Sequence, residues 1–290
     1  MKVIPSIYTH HPRLWQSNSY VYPVISRRSK GLSIGVNLNP DKACNFDCVY
    51  CCVDRSDRAG EPKRSTVEMP VLRDELDAML QIAISGELFQ QPPFDSVPRE
   101  LRRINDVAFS GDGEPTSFKG FGDACALAAE LLKRHQLPDV KIIVITNATL
   151  LHRPKVAEAL KFLDDHNGEI WAKLDAGTQE YYALVERTSI PLSRVLDNIA
   201  EAGRVRPIVI QSLFMNINGE PPSSAEIAAY VQRLRDLLAG GCRIKLVQVY
   251  TVARGPAESF VTPLPAPALD AIADQVKSAD LPVETFYGPT

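Results

Sequence analysis

Four of the six cysteines in this chain fall between positions 44 and 52. Cys44, Cys48 and Cys51 are spaced CxxxCxxC, and Cys52 follows directly. Clustered thiols at such spacing read as metal ligands rather than disulfide partners in a reducing compartment. Two arrangements compete. All four thiolates of Cys44, Cys48, Cys51 and Cys52 could close on one structural zinc, although adjacent Cys51 and Cys52 make a tetrahedron awkward. Alternatively, three thiolates could hold a four-iron cluster and leave one iron without a protein ligand, which is an open site for chemistry. Cys125, among alanines and leucines, and Cys242, ahead of an apolar run, read as buried small hydrophobes.

The elements that must position this loop are legible as short apolar runs alternating with amphipathic stretches, the pattern of βα units. Strands are expected at 32–38, 106–111, 141–146, 169–175, 207–215 and 243–252. Helical faces lie between them, for example Leu72, Leu76, Met79, Leu80 and Ala83, or Ile227, Val231, Leu234 and Leu238. Six such units with right-handed crossovers predict an α/β fold, a partial (β/α)6 barrel of parallel strands with outer helices. An open doubly wound sheet is the second choice. One domain over 1–290 is expected, with an N-terminal extension at 1–30 and a proline-bearing insertion at 88–105. A second proline-rich segment spans 254–267.

Polar residues gather where these strands end. The first strand runs into Asn37, Asn39 and the cysteine loop, the second into Gly111-Asp112-Gly113-Glu114-Pro115, and the third into Thr146 and Asn147. The fourth ends in Lys173 and Asp175, the fifth carries Gln211 and Ser212, and the sixth passes through Gln248 and Tyr250 to Arg254. The carboxyl ends of parallel strands form the active face of such folds, so these residues should ring one cavity.

Together, the CxxxCxxC loop with Tyr50 before its third cysteine and GDGEP after the next strand resemble the radical S-adenosylmethionine superfamily. The stretches 26–55, IWAKLDAGTQEYY and QVYTVARGPAE are similar, within it, to the group that includes wyosine-type tRNA synthases. That group carries Gln after the third cluster cysteine, whereas this chain has Cys52. The resemblance implies a [4Fe–4S] cluster on Cys44, Cys48 and Cys51. It also implies an S-adenosylmethionine site drawn from Tyr50, Gly111, Asp112, Gly113, Glu114, Asn147, Lys173, Asp175 and Gln211, with Cys52, Tyr250 and Arg254 as substrate-binding candidates. Glu114 is expected to accept from the methionyl ammonium, and Lys173 and Asp175 to contact the cofactor's carboxylate and ribose. No catalytic side chain is assigned.

The implied activity is reductive cleavage of the cofactor to a 5′-deoxyadenosyl radical that abstracts a substrate hydrogen. An external flavodoxin- or ferredoxin-type donor is expected to supply the electron. Lys plus Arg is 32 against 35 for Asp plus Glu, a net charge of −3 that offers no broad attraction for a polyanion. A small molecule, peptide or protein is therefore favoured as substrate, with tRNA-base modification as the alternative. Local basic residues at Arg27, Arg28, Arg99, Arg102 and Arg103 could form an RNA-facing strip. No apolar run is long enough to span a bilayer and the first thirty residues lack a secretory pattern, so no membrane contact and a cytoplasmic location are expected.

Overall fold

The chain's architecture comes from a computed structural model that describes residues 15–53 and 66–288. Strand β1 (Val21–Ser26) folds back antiparallel on β2 (Gly31–Val36). Strands and helices then alternate: α1 (Met69–Ser85), β3 (Ile104–Phe109), α2 (Phe121–Arg134), β4 (Lys141–Thr146), α3 (Pro154–Asp164) and β5 (Gly168–Lys173). After α4 (Gln179–Glu186) and α5 (Leu192–Val205) come β6 (Ile208–Leu213), β7 (Met215–Ile217), α6 (Ser224–Ala239) and β8 (Ile244–Tyr250). The chain continues through β9 (Val261–Pro263), α7 (Ala266–Lys277) and β10 (Val283–Phe286).

One sheet holds eight strands in the order β1-β2-β3-β4-β5-β6-β8-β10, parallel at every junction after the first. The order never reverses, so there is no switch point and the doubly wound alternative falls away. The two edges also meet. The Arg27 guanidinium donates to the Tyr287 carbonyl, and Lys30 Nζ lies 2.8 Å from Glu284 Oε1, which joins opposite ends of the strand order. Only a sheet curled into a partial barrel allows this.

The helices cover its outside for the reason their periodicity implies. In α1, Leu72, Leu76, Met79, Leu80 and Ala83 form one buried face, and the helix stops at Gly86, whose φ of 79° is the left-handed cap that glycine adopts without strain. In α6 the buried face uses Leu237 in place of the expected Leu238, which is only partly covered. Cys125 is fully buried in α2 and Cys242 is 3% exposed, so both are the buried thiols expected. No helix among the described residues is long and apolar enough to cross a membrane.

The six expected strands are present with ends shifted by a few residues. Within the N-terminal extension, residues 15–30 supply the edge strand of the sheet; residues 1–14 lie outside the described residues. Pro23 weakened the strand signal of VYPVIS, yet an edge position tolerates proline. Glu75 of α1 pins the entry to β1 by accepting from the backbone N–H groups of Ser19, Tyr20 and Val21 at 2.7, 2.8 and 3.1 Å. The proline-bearing segment 88–105 packs against the barrel. It forms short 3-10 turns that bury Leu88, Phe89, Phe94 and Val97, and β3 already begins at Ile104. Also unforeseen are β10, too short and polar to stand out, and the separate antiparallel pair β7–β9.

Candidate active site at the carboxyl ends of the strands

Side chains alternate along a strand, so every second residue of β1 to β6 and of β8 points into the curl. Tyr22, Val24 and Ser26, Ser33 and Gly35, Asp106 and Ala108, Ile143 and Ile145, Trp171 and Lys173 all line one cavity of about 270 Å³. Its mouth is formed by the loops that follow the strands, and Cys44, Cys48, Tyr50, Gly111, Gly113, Glu114, Asn147, Gln211, Tyr250 and Arg254 all reach it. Cys51, Cys52, Asp112 and Asp175 do not line it.

The cysteine loop is strapped down from both sides. Val49 and Asp47 donate their N–H groups to the carbonyls of Val185 and Glu186 at 2.9 and 3.1 Å, and Ala257 donates to the Cys51 carbonyl at 3.0 Å. Asn147 Nδ2 donates to Asn45 Oδ1 at 2.7 Å, which ties the loop to the end of β4. The Cys48 thiol donates to Glu186 Oε2 at 2.7 Å. Burial first, and then the Glu186 charge, pushes that thiol well above its usual value. Glu186 itself is pushed up by burial and by Asp175. Its place in the last turn of α4, where a carboxylate meets the negative end of the helix, was the one hint in the sequence that it serves a tertiary purpose.

Three cysteines on one loop, none in a disulfide and two of them on the cavity wall, suit the donor set of an iron–sulfur cluster. Each thiolate of such a cluster holds a different iron, so they need not converge on one point. Among the described residues no three His, Cys, Asp or Glu side chains gather as ligands of a single ion. The zinc alternative needs that convergence, and exposed Cys52 instead lines a smaller side cavity of about 110 Å³ with Arg27, Arg28, Tyr50 and Arg254.

The glycines of GDGEP serve close approach. A Cβ on Gly111 would stand 2.4 Å from Asn37 Oδ1, and one on Gly113 would stand 2.1 Å from the Ala43 carbonyl oxygen, next to Cys44. Both press against the chain's own first loop, which aligns the two motifs. Gly113→Ala is therefore expected to push the cysteine loop outward, with a stability loss of about 1–3 kcal/mol and reduced iron uptake. Gly122→Ala is the control, because its Cβ would meet only Ala159 Cβ at 3.8 Å. Thermal denaturation and iron assays of both variants check this, and equal behaviour of the two refutes it.

Two acids expected to face the cofactor also hold the surrounding loops together. Glu114 is 2% exposed, and its carboxylate accepts from Thr116 N and Oγ1, Thr146 Oγ1 and Asn147 N at 3.1, 2.5, 2.7 and 2.7 Å. It clamps the ends of β3 and β4 together. Asp175 accepts from Tyr50 Oη at 2.6 Å, Leu213 N at 2.7 Å and Lys173 Nζ at 3.0 Å. Burial pulls the Lys173 ammonium down, but Asp175, Tyr250 and Glu186 together hold it above its usual value. Asp112 turns away to accept from Asn37 Nδ2 at 2.7 Å. Gln211 is fully buried, donates to Gln248 Oε1 at 2.7 Å, and has an unpartnered Oε1 on the cavity wall.

Sequence reasoning missed Tyr22, Asp106 and Trp171, because their inward direction depends on strands whose register was unknown. Asp106 is 1% exposed, and burial raises its pKa to about 6. Between about pH 4 and 6 the unfolded chain has released this proton while the folded chain keeps it, so stability falls as pH rises through that window. Asp106→Asn should thus be more stable than wild type by about 2–3 kcal/mol at pH 7.5, with the gain vanishing near pH 4. Urea denaturation at both values measures it; a gain of equal size at pH 4 would assign the effect to packing instead.

The segment that carries Arg99, Arg102 and Arg103 meets the β1–β2 turn that carries Arg27 and Arg28, where the Leu32 N–H donates to the Arg103 carbonyl at 2.9 Å and Asn105 Nδ2 donates to the Ser29 carbonyl. Arg99, Arg102 and Arg103 precede β3 at its amino end, and Arg102 donates to the carbonyls of Val97 and Asp95 at 2.9 and 3.2 Å.

Known proteins are similar to this chain in sequence and in fold. GTPase Obg of Brachyspira hyodysenteriae is 25% identical over 185 residues, covering 63% of this chain and 23% of that protein. A UPF0026 protein of Helicobacter pylori is 24% identical over 217 residues, covering 73% of this chain and 61% of its own length. The chain thus spans less than two thirds of these relatives. A radical SAM methyltransferase from Sphaerobacter thermophilus superposes with a TM-score of 0.62 at 12% identity, over 92% of this chain and 69% of its own, which is a likeness of fold. Residues 38–231 match the Radical SAM superfamily, from just past the end of β2 through the first half of α6. The chain belongs to the Radical SAM superfamily and is an enzyme of the partial-barrel type.

Proposed function

We propose that Cys44, Cys48 and Cys51 hold a [4Fe–4S] cluster, that S-adenosylmethionine binds between it and the Gly111–Glu114 loop, and that hydrogen is abstracted from a small-molecule, peptide or protein substrate inside the barrel. The observation that carries this reading is one cavity shared by Cys44, Cys48, Tyr50, Gly113, Asn147, Lys173 and Gln211. When bound, the cluster and cofactor supply one-electron cleavage of the sulfonium and a 5′-deoxyadenosyl radical.

The chain's own residues orient and enclose. Lys173, with ammonium 4.7 and 4.8 Å from the Tyr50 and Tyr250 ring centroids, is a fixed positive charge for the cofactor carboxylate. The Gln211 Oε1 lacks a donor and suits an N–H or hydroxyl of the cofactor or substrate. Glu114, on the wall, and Asp175, behind it, hold the loops that shape the site. An external flavodoxin- or ferredoxin-type protein delivers the electron.

Anaerobic reconstitution followed by a strong reductant and S-adenosylmethionine tests the proposal. A brown protein that binds the cofactor and releases 5′-deoxyadenosine is the expected result, and a colourless protein with a single zinc overturns it. Binding of tRNA over a salt series decides the substrate class. Submicromolar binding with a steep salt slope would favour tRNA-base modification, while weak binding leaves the compact substrate in place.

A further inference from the structure

On the part of the cavity wall formed by β2, β3 and the β1–β2 turn, outside the residues proposed for the cofactor, lies a polar floor. Asp106 accepts from the Ser33 hydroxyl, but its buried Oδ2 has no partner. The Ser29 hydroxyl, on the same wall, is also buried, and it faces Asp106 from beyond ordinary hydrogen-bond distance. Arg28 enters from the turn after β1, its guanidinium carbon 4.9 Å from the Tyr250 ring centroid and 5.9 Å from that of Trp171. Among the described residues Arg28 makes no hydrogen bond or ion pair.

An unpartnered buried polar group costs about 1–3 kcal/mol, so folded chains keep few of them. Several facing one cavity mark where a ligand supplies the missing partners. Their signs are complementary: Arg28 offers N–H donors and a positive charge, while Asp106 and Ser29 offer oxygens. Lys173 already has its counter-ion in Asp175 at 3.0 Å, so it does not neutralise the floor.

Resting on the radical SAM reading above, we infer that this floor binds the substrate as a compact amino-carboxylate, a free α-amino acid, with its carboxylate on Arg28 and its ammonium on Asp106 and Ser29. A zwitterion adds no net charge to a largely enclosed space, whereas a simple anion or amine would leave Asp106 or Arg28 uncompensated. An ammonium directs three N–H donors in different directions and can reach the carboxylate and a serine hydroxyl together. A flat nucleobase edge offers its donors in one plane. Burial holds the Asp106 carboxyl near a pKa of about 6, and an ammonium seated on it offsets that burial. The volume of about 270 Å³, shared with the cofactor, favours a small ligand.

The probes are the twenty free L-amino acids, followed for each binder by its decarboxylated amine and its N-acetyl derivative. Thermal shift and calorimetry are run on wild type, Asp106→Asn and Arg28→Met, each with and without the reconstituted cluster. At least one amino acid is expected to raise the wild-type midpoint. Loss of either charged group, or either substitution, should weaken binding by at least about tenfold. Cofactor titrations on the same samples should stay within about twofold of wild type, separating a substrate floor from a general collapse of the site. No binding by any amino acid, binding that survives both substitutions, or preference for guanosine overturns the inference. Cofactor binding without amino-acid binding sinks this inference alone; amino-acid binding in a protein that takes neither cluster nor cofactor sinks the radical SAM assignment of the cavity alone.

Discussion

Anaerobically reconstituted Cys48→Ser is expected to lose at least about tenfold in iron and sulfide, more than the cost of removing an outer partner of a metal site. Cys44→Ser and Cys51→Ser should do the same, because three thiolates are the fewest that leave a cluster with a single open iron. The contrast with the other thiols carries the test. Cys52 is exposed, turned toward the side cavity, and its Sγ is 3.8 Å from the Tyr50 carbonyl, so Cys52→Ser should keep a full cluster. Cys242 is wedged so tightly that a Cβ on Gly203 would stand 2.1 Å from its sulfur, and Cys125 lies in the core of α2. Their serine variants should be less stable yet still load iron. Iron, sulfide and visible absorption of all six variants decide the matter. A full cluster in Cys48→Ser, or loss confined to Cys52→Ser, would sink the ligand assignment.

Asp175→Ala is expected to destabilise the fold by about 3–5 kcal/mol, because it strands the Lys173 ammonium, whose side chain is 13% exposed, without its counter-ion. For a chain of this size that corresponds to a midpoint lower by roughly 10 °C. The same change frees the Tyr50 hydroxyl beside Cys48 and leaves the Leu213 N–H without an acceptor. Replacing both charges, as Asp175→Leu with Lys173→Met, should recover much of the stability, since a buried pair is costly to break but cheap to replace whole. Thermal denaturation of the single and double variants gives the answer. Wild-type stability in Asp175→Ala, together with lost cofactor affinity, would restore Asp175 to the direct contact its position in the sequence suggested.

Both experiments probe a divide between local and nonlocal information. The cysteine spacing, the six apolar runs and the α1 face are local patterns, and spacing along the chain was enough to place the cysteine loop after the first parallel strand and to predict a partial barrel. Composition likewise bounded the class of protein. What each polar side chain faces was beyond that reach. Glu114 and Asp175 have the residue types of ligands, yet backbone N–H groups from other strands, at Asn147 and Leu213, claim them first. Glu186 meets Cys48 across 138 positions, and Arg28 meets Trp171 and Tyr250 only because the sheet curls. Those contacts depend on strand order, register and closure, which no short window encodes. The sequence by itself determined the chemistry available and the repeating units that carry it. Tertiary structure alone decided which carboxylates are spent on holding the barrel and which polar atoms are left facing its interior, because hydrogen-bond satisfaction in a buried wall is settled by whatever the fold brings within reach.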